Sequence, residues 1–127
     1  MKNSTCYDIF QIAAPELYWV EIEWKTLKTK EDGSFSIELL LTEDINFGNS
    51  AYETRYVVTD DSIRHGCESY IQDFTNRCRL NSGSEYLKNR LDALNLFLDT
   101  DGEEGDIDAW AADAIVQHAI LGEVVFS

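Results

Sequence analysis

Tyr18-Trp19-Val20-Glu21-Ile22-Glu23-Trp24-Lys25 is the stretch whose reading decides the fold. Tyr18, Val20, Ile22 and Trp24 alternate with Trp19, Glu21, Glu23 and Lys25, the period-two signature of a strand with one buried face. Downstream, Glu31-Asp32-Gly33-Ser34 supplies turn residues, after which Phe35, Ile37, Leu39 and Leu41 alternate with Ser36, Glu38 and Leu40. Asn46 to Ser50 marks the next reversal, and Ala51 to Thr59 reads as a third strand with Tyr52, Tyr56 and Val58 among its apolar positions. Such short connections favour antiparallel neighbours, so a three-stranded meander is expected. Upstream, Tyr7 to Ala13 fits either a fourth strand or a short helix.

Beyond Thr59 the apolar period lengthens to that of a helix. Asp60 or Asp61 can cap a segment in which Ile63, Cys67, Tyr70, Ile71, Phe74 and Cys78 share one stripe. Ser82-Gly83-Ser84-Glu85 has the spacing of a capping box, and Leu87, Leu91, Leu94 and Leu98 follow at helical intervals. A third helix starts near Asp106 or Asp108, with Ile107, Trp110, Ala111, Ala114, Ile115 and His118 on its inner side. Gly122 stops it, and Val124 to Phe126 can return as a short edge strand. Residues 1–127 are therefore expected to form a single α+β domain, an antiparallel sheet of three to four strands followed by about three helices packed on one face.

The chain of 127 residues carries 24 Asp and Glu against 10 Lys and Arg, a formal charge of −14. An apolar share of 44% and an aromatic share of 12% belong to a packed core, which argues against a disordered acidic tail. The sign of the charge argues against direct binding of nucleic acid or of anionic lipid, both of which need Lys and Arg. No segment offers the roughly 20 apolar residues that span a bilayer. The start of the chain lacks the basic-then-apolar pattern of a secretory signal. Cys6, Cys67 and Cys78 are an odd number, and the last two lie about 16 Å apart along one helix, beyond disulfide reach. Reduced thiols in a cytoplasmic protein are the expectation.

The charge is unevenly spread. Residues 1–58 hold ten acids and five bases, residues 59–98 six and five, and residues 99–127 eight acids and no Lys or Arg. Seven of those eight fall between Asp99 and Asp113, among apolar residues that must fold, so they repel one another on a fixed surface. A bound cation, a basic partner or a strong core must offset this. Glu21 and Glu23 form a second acidic area, roughly 6.6 Å apart on one strand face. Glu38 and Glu53 can join them, while Lys25 and Arg55 dilute the patch. Trp19 shares that face. Left open it would be an aromatic anchor with a charged rim; a helix or the N-terminal segment lying across it would bury it instead.

Other chemistry is thin. Asp99 to Asp108 resembles a calcium-binding EF-hand loop in part: Asp99, Asp101 and Glu103 occupy the first ligand positions, but Gly105 and Ile107 come one residue late and the closing Glu is replaced by Ala111, or by Trp110 if the extra residue is not counted. Cys67 and His118, with Asp113 or Asp73 as orienting carboxylate, are the pieces from which a small thiol-dependent enzyme could be assembled. Both fall on apolar stripes, however, where a thiol is inert. His65, Cys67, Cys78 and His118 fail as a zinc site on spacing. Asp60-Asp61 and Glu103-Glu104 are adjacent and seldom point at one spot, and there is no phosphate loop and no Gly-x-Ser-x-Gly.

The expectation that follows is a non-enzymatic acidic inhibitor without metal or cofactor. Its carboxylates would imitate nucleic-acid phosphates and block a basic, nucleic-acid-contacting surface of a target such as a nuclease. In size, charge and absence of chemistry this looks like toxin-immunity proteins and phage anti-CRISPR or antirestriction proteins, with no motif shared. The residues expected to meet the partner are Trp19, Glu21, Glu23, Asp99, Asp101, Glu103, Glu104, Asp106 and Asp108. The sequence leaves the oligomeric state open.

Overall fold

The structure, a computed structural model, describes residues 1–42 and 54–126. The expected reversal at Asn46–Ser50, Glu53 and the first residues of the expected third strand lie outside them. Three strands, β1 (Val20–Thr29), β2 (Phe35–Leu41) and β3 (Arg55–Thr59), form an antiparallel sheet in the order β1-β2-β3. Among the described residues there are four α-helices: α1 (Asn3–Ala13) ahead of the sheet, and α2 (Asp60–Leu80), α3 (Glu85–Asp99) and α4 (Ala109–Leu121) after it. This is the expected α+β arrangement. None of these helices is long and apolar enough to cross a membrane.

The sheet's inner face follows β2, whose Phe35, Ile37, Leu39 and Leu41 are all buried. Register carries that face outward to its neighbours: Val20 pairs with Leu41, Ile22 with Leu39, Val58 with Ile37 and Tyr56 with Leu39. The helices cover this face. Cys6, Ile9, Phe10 and Ala13 recur at helical spacing on α1 and are buried, and the Phe10 ring packs against Phe35 at 5.8 Å between centroids. The undecided segment Tyr7–Ala13 is thus helical. Pro15, in a 3-10 turn over Ala14–Glu16, marks its end.

α2 opens with a capping box in which the Thr59 hydroxyl accepts from the Ser62 backbone N–H and Ser62 reciprocates. The cap is one residue earlier than Asp60, which sits inside the first turn where its charge suits the helix dipole. Ile63, Gly66, Cys67, Tyr70 and Phe74 turn inward against α4. At Gly66 the two helices cross so closely that a Cβ would stand 2.4 Å from the Ile115 carbonyl oxygen. α3, capped by Ser84, packs on α2 through Leu94 and lies outside the α1–α2–α4 layer.

Gly122 ends α4 in the left-handed conformation at φ 81°. The tail beyond it is not the expected edge strand. The buried Gln117 side chain takes the role of a strand partner, accepting from the Val125 and Phe126 N–H groups at 2.8 and 2.9 Å and donating to the Phe126 carbonyl at 2.8 Å. A side-chain amide can offer one donor and one acceptor side by side, as a peptide does, which explains how three residues are held without a ladder.

Candidate functional site: an acidic loop between α3 and α4

The α3–α4 connection, residues 100–108, is folded tightly by its own backbone. The Gly102 N–H donates to the Phe97 carbonyl at 2.8 Å, and the Asp106 N–H to the Ala93 carbonyl at 3.1 Å, pinning both ends to the last turns of α3. The Thr100 hydroxyl donates to the Leu96 carbonyl at 2.7 Å and accepts from the Glu104 N–H at 2.9 Å. Asp101, Gly102 and Gly105 take left-handed φ values of 52°, 85° and 79°. Two of the three are glycine, as the conformation requires, and the third is an Asp, one of the side chains that tolerates it.

Its carboxylates divide into two populations. Asp101 reaches the start of α1, where the N-cap residue Lys2 brings no capping side chain; the carboxylate accepts from the Lys2 backbone N–H at 2.6 Å and the Thr5 hydroxyl at 3.0 Å. That backbone donor, with Thr5 and the nearby positive charges, holds its pKa below the usual carboxylate value. Asp108 caps α4, accepting from the Ala111 N–H at 2.7 Å, and ion-pairs with Arg90 of α3. Asp113, one turn into α4, accepts from the Trp19 indole N–H at 3.0 Å and from Gln117 at 3.1 Å, with burial raising its pKa against those donors. By contrast, Asp99, Glu103, Glu104 and Asp106 are exposed, and their side chains have no hydrogen bond or ion pair with any described residue.

The sheet supplies the other expected patch. Glu21 and Glu23 do lie on the face turned away from the helices, with Glu23 directly opposite Glu38 across the β1–β2 ladder. Like charges placed so are destabilising, and Arg55 offsets them by approaching Glu23 at 3.4 Å. This face is on the far side of the sheet from the helical layer that carries the α3–α4 loop. The two acidic areas therefore do not form one surface.

Trp19 is not the exposed anchor. It is fully buried, stacked on Phe126 at 5.3 Å and tied to Asp113, because β1 begins at Val20 and Trp19 sits in the turn before it, where strand alternation does not apply. Trp24 keeps the expected inner face, its ring edge-on to the Phe10 ring of α1 at 6.0 Å between centroids, but is left 49% exposed. Between Glu23 and Lys28 the ladder slips by a bulge, and the side-chain alternation slips with it. Trp110, expected inside, is 74% exposed at the first turn of α4. It is the open tryptophan nearest the acidic loop in sequence.

The alternative chemistries find little geometry. Among the described residues no three His, Cys, Asp or Glu side chains are grouped to hold a metal ion, and Asp101, one of the expected calcium ligands, is spent on α1. Burial pushes the Cys67 thiol up to about 12, so it stays protonated at neutral pH. His118 turns to other partners: its Nδ1 is 2.7 Å from the Ser69 hydroxyl, while Nε2 is buried without a hydrogen bond to a described residue, 3.7 Å from Asp73. Ser69 and Asp73 are four residues apart on α2, so this pairing cross-links α2 and α4. Sequence reasoning named His118 and Asp73 and missed Ser69, whose only signal was its place one turn before Asp73. Comparison with family models, with curated proteins and with solved structures finds no match for the chain.

Proposed function

We propose that the chain is a non-enzymatic acidic inhibitor whose α3–α4 loop docks on a basic, nucleic-acid-contacting surface of another protein, a nuclease or other nucleic-acid-binding protein of the cytoplasm. The observation that carries this reading is the set Asp99, Glu103, Glu104 and Asp106: four exposed carboxylates within eight residues, without a partner among the described residues, on backbone that is hydrogen-bonded to α3. Charges that are already fixed lose little freedom on docking, and a basic groove would relieve their repulsion. Immunity to a nuclease toxin and phage antirestriction are the two settings such a protein would suit. The free state of Cys6, Cys67 and Cys78 supports a reducing compartment.

The test immobilises the protein, captures basic proteins at low salt and elutes with rising ionic strength. A variant with Asp99→Asn, Glu103→Gln, Glu104→Gln and Asp106→Asn keeps every structural acceptor. It should lose the captured partner at lower salt and associate more slowly, and the partner released by wild type should regain nucleic-acid binding. Equal capture and equal salt dependence by the two proteins would refute the reading.

A further inference from the structure

A cavity of about 270 Å³ opens between α2, α3 and α4, walled by Tyr70, Phe74, Arg77, Tyr86, Arg90 and Trp110. Its chemistry is the opposite of the acidic loop's. Arg77 lies over the Phe74 ring with 5.4 Å to the centroid and Arg90 over the Tyr86 ring at 5.9 Å, each guanidinium within cation–π range of an aromatic ring. Tyr70, Arg77 and Arg90 line this one cavity. Tyr70 is only 7% exposed, yet its hydroxyl makes no hydrogen bond to a described residue. Tyr86 and Trp110, also on its wall, are 69% and 74% exposed. Trp, Tyr and Arg are the side chains that carry most binding energy at protein interfaces, and open aromatic faces of this size have reason to be covered.

We infer that this groove binds a peptide segment in which a carboxylate neighbours a large apolar side chain. The apolar group would sit between Tyr86, Phe74 and Trp110, and the carboxylate would accept from Tyr70, Arg77 and Arg90. Charge complementarity selects this occupant, since two guanidiniums and a hydroxyl donor line one cavity in a protein of net charge −14. The resident carboxylates leave room for it: Asp73 stands 3.9 Å from Arg77, beyond hydrogen-bond reach, and Asp108 cannot occupy all five donors of Arg90. The volume is below the range of ordinary small-molecule pockets and suits one anchoring residue. This inference does not rest on the acidic loop, and either can fail alone.

The test is an NMR titration of the isotopically labelled protein, followed at the Trp110 indole and the Arg77 side chain. N-acetylphenylalanine supplies a terminal carboxylate, N-acetyl-aspartyl-phenylalanine amide a side-chain carboxylate, and N-acetylphenylalanine amide neither. The expected result is saturable binding of at least one of the two acids, with the uncharged amide about tenfold weaker. Arg77→Gln should weaken the acid about tenfold and leave the amide unchanged, while Trp110→Ala, a change at an exposed position, should weaken both. Equal binding of acid and amide, no binding by either acid, or tighter binding of adenosine monophosphate than of both acids would overturn the inference.

Discussion

Replacing Gly105 by Ala tests whether the acidic loop is held rigid by its backbone. Two costs can be read from the structure. The residue has φ 79°, a conformation that costs an L-residue about 1–2 kcal/mol. An added Cβ would also stand 2.4 Å from the Ala93 carbonyl oxygen and 2.5 Å from the Phe97 nitrogen, both backbone atoms of α3 that cannot swing aside. Relief requires the loop to lift by about 1 Å, which breaks the Asp106-to-Ala93 hydrogen bond at a further ~1 kcal/mol. The stiffer unfolded chain returns about 0.4–1 kcal/mol. The net expectation is a loss of about 2 kcal/mol in urea unfolding, with faster hydrogen exchange at the Asp106 and Gly102 amides. Gly83→Ala is the control: nothing lies within 4 Å of its Cβ position and its φ is not positive, so its stability should stay level or rise slightly. Because Gly105→Ala leaves every charge in place, weaker partner binding would report lost shape alone. A variant within about 0.5 kcal/mol of wild type, with Asp106 equally protected, would refute the account of the loop.

Gly66→Ala sets two effects against each other. Alanine gains about 1 kcal/mol of helix propensity, but contact with the Ile115 carbonyl at 2.4 Å forces α2 and α4 apart at about 1–3 kcal/mol or more; a lowered urea midpoint is expected, and a raised one would contradict the close crossing. Trp19→Phe keeps most of the ring but removes the donor to the half-buried Asp113, for a loss of about 1–3 kcal/mol that calorimetry at neutral pH can measure. His118 predicts a pH dependence. Burial lowers its pKa from 6.5, so below about that pH the unfolded chain binds a proton that the folded chain refuses. Its stabilising contribution is thus full above 6.5 and is lost as the pH falls toward the folded value. His118→Gln should flatten the fall in urea midpoint between about pH 7 and about pH 5, and an unchanged slope would count against the assignment.

How much of this was legible depended on how local each cause is. β2 could be read residue by residue because nothing interrupts its alternation. β1 could not beyond Trp24, since no feature of Lys25-Thr26-Leu27 announces a bulge that Thr26 stabilises by donating to the Glu23 carbonyl and accepting from the Glu38 N–H. The α1 segment was ambiguous for a related reason: its start carries no cap of its own, and the carboxylate that serves it comes from Asp101, 99 residues downstream. Trp19 and Asp113 meet across 94 residues, so neither the burial of the one nor the structural duty of the other leaves a trace in its own neighbourhood. Trp110 was misplaced because α4 is buried on most sides, and a stripe argument has no purchase on a helix with so narrow an open face.

The cation-free end of the chain looks in sequence like one block of repelling charge, for which a metal, a partner or a strong core must be invoked. Its fold distributes that burden differently. Asp108 stands at the N-terminus of α4 and Asp101 at that of α1, where the helix dipole favours an anion, and Arg90 reaches across from α3 to the former. Asp113 has the Trp19 and Gln117 donors. Three of the seven carboxylates between Asp99 and Asp113 are therefore acceptors that the fold depends on, and they need no outside cation. Charge reversal at Asp101 or Asp108 would loosen α1 or α4 and mimic a binding defect through misfolding. What is left to explain is narrower and sharper: Asp99, Glu103, Glu104 and Asp106 serve no described residue, and substituting them should cost the domain nothing. Unchanged or higher stability on their neutralisation would show that the fold does not depend on them, whereas a loss comparable to that at Asp101 or Asp108 would contradict the division.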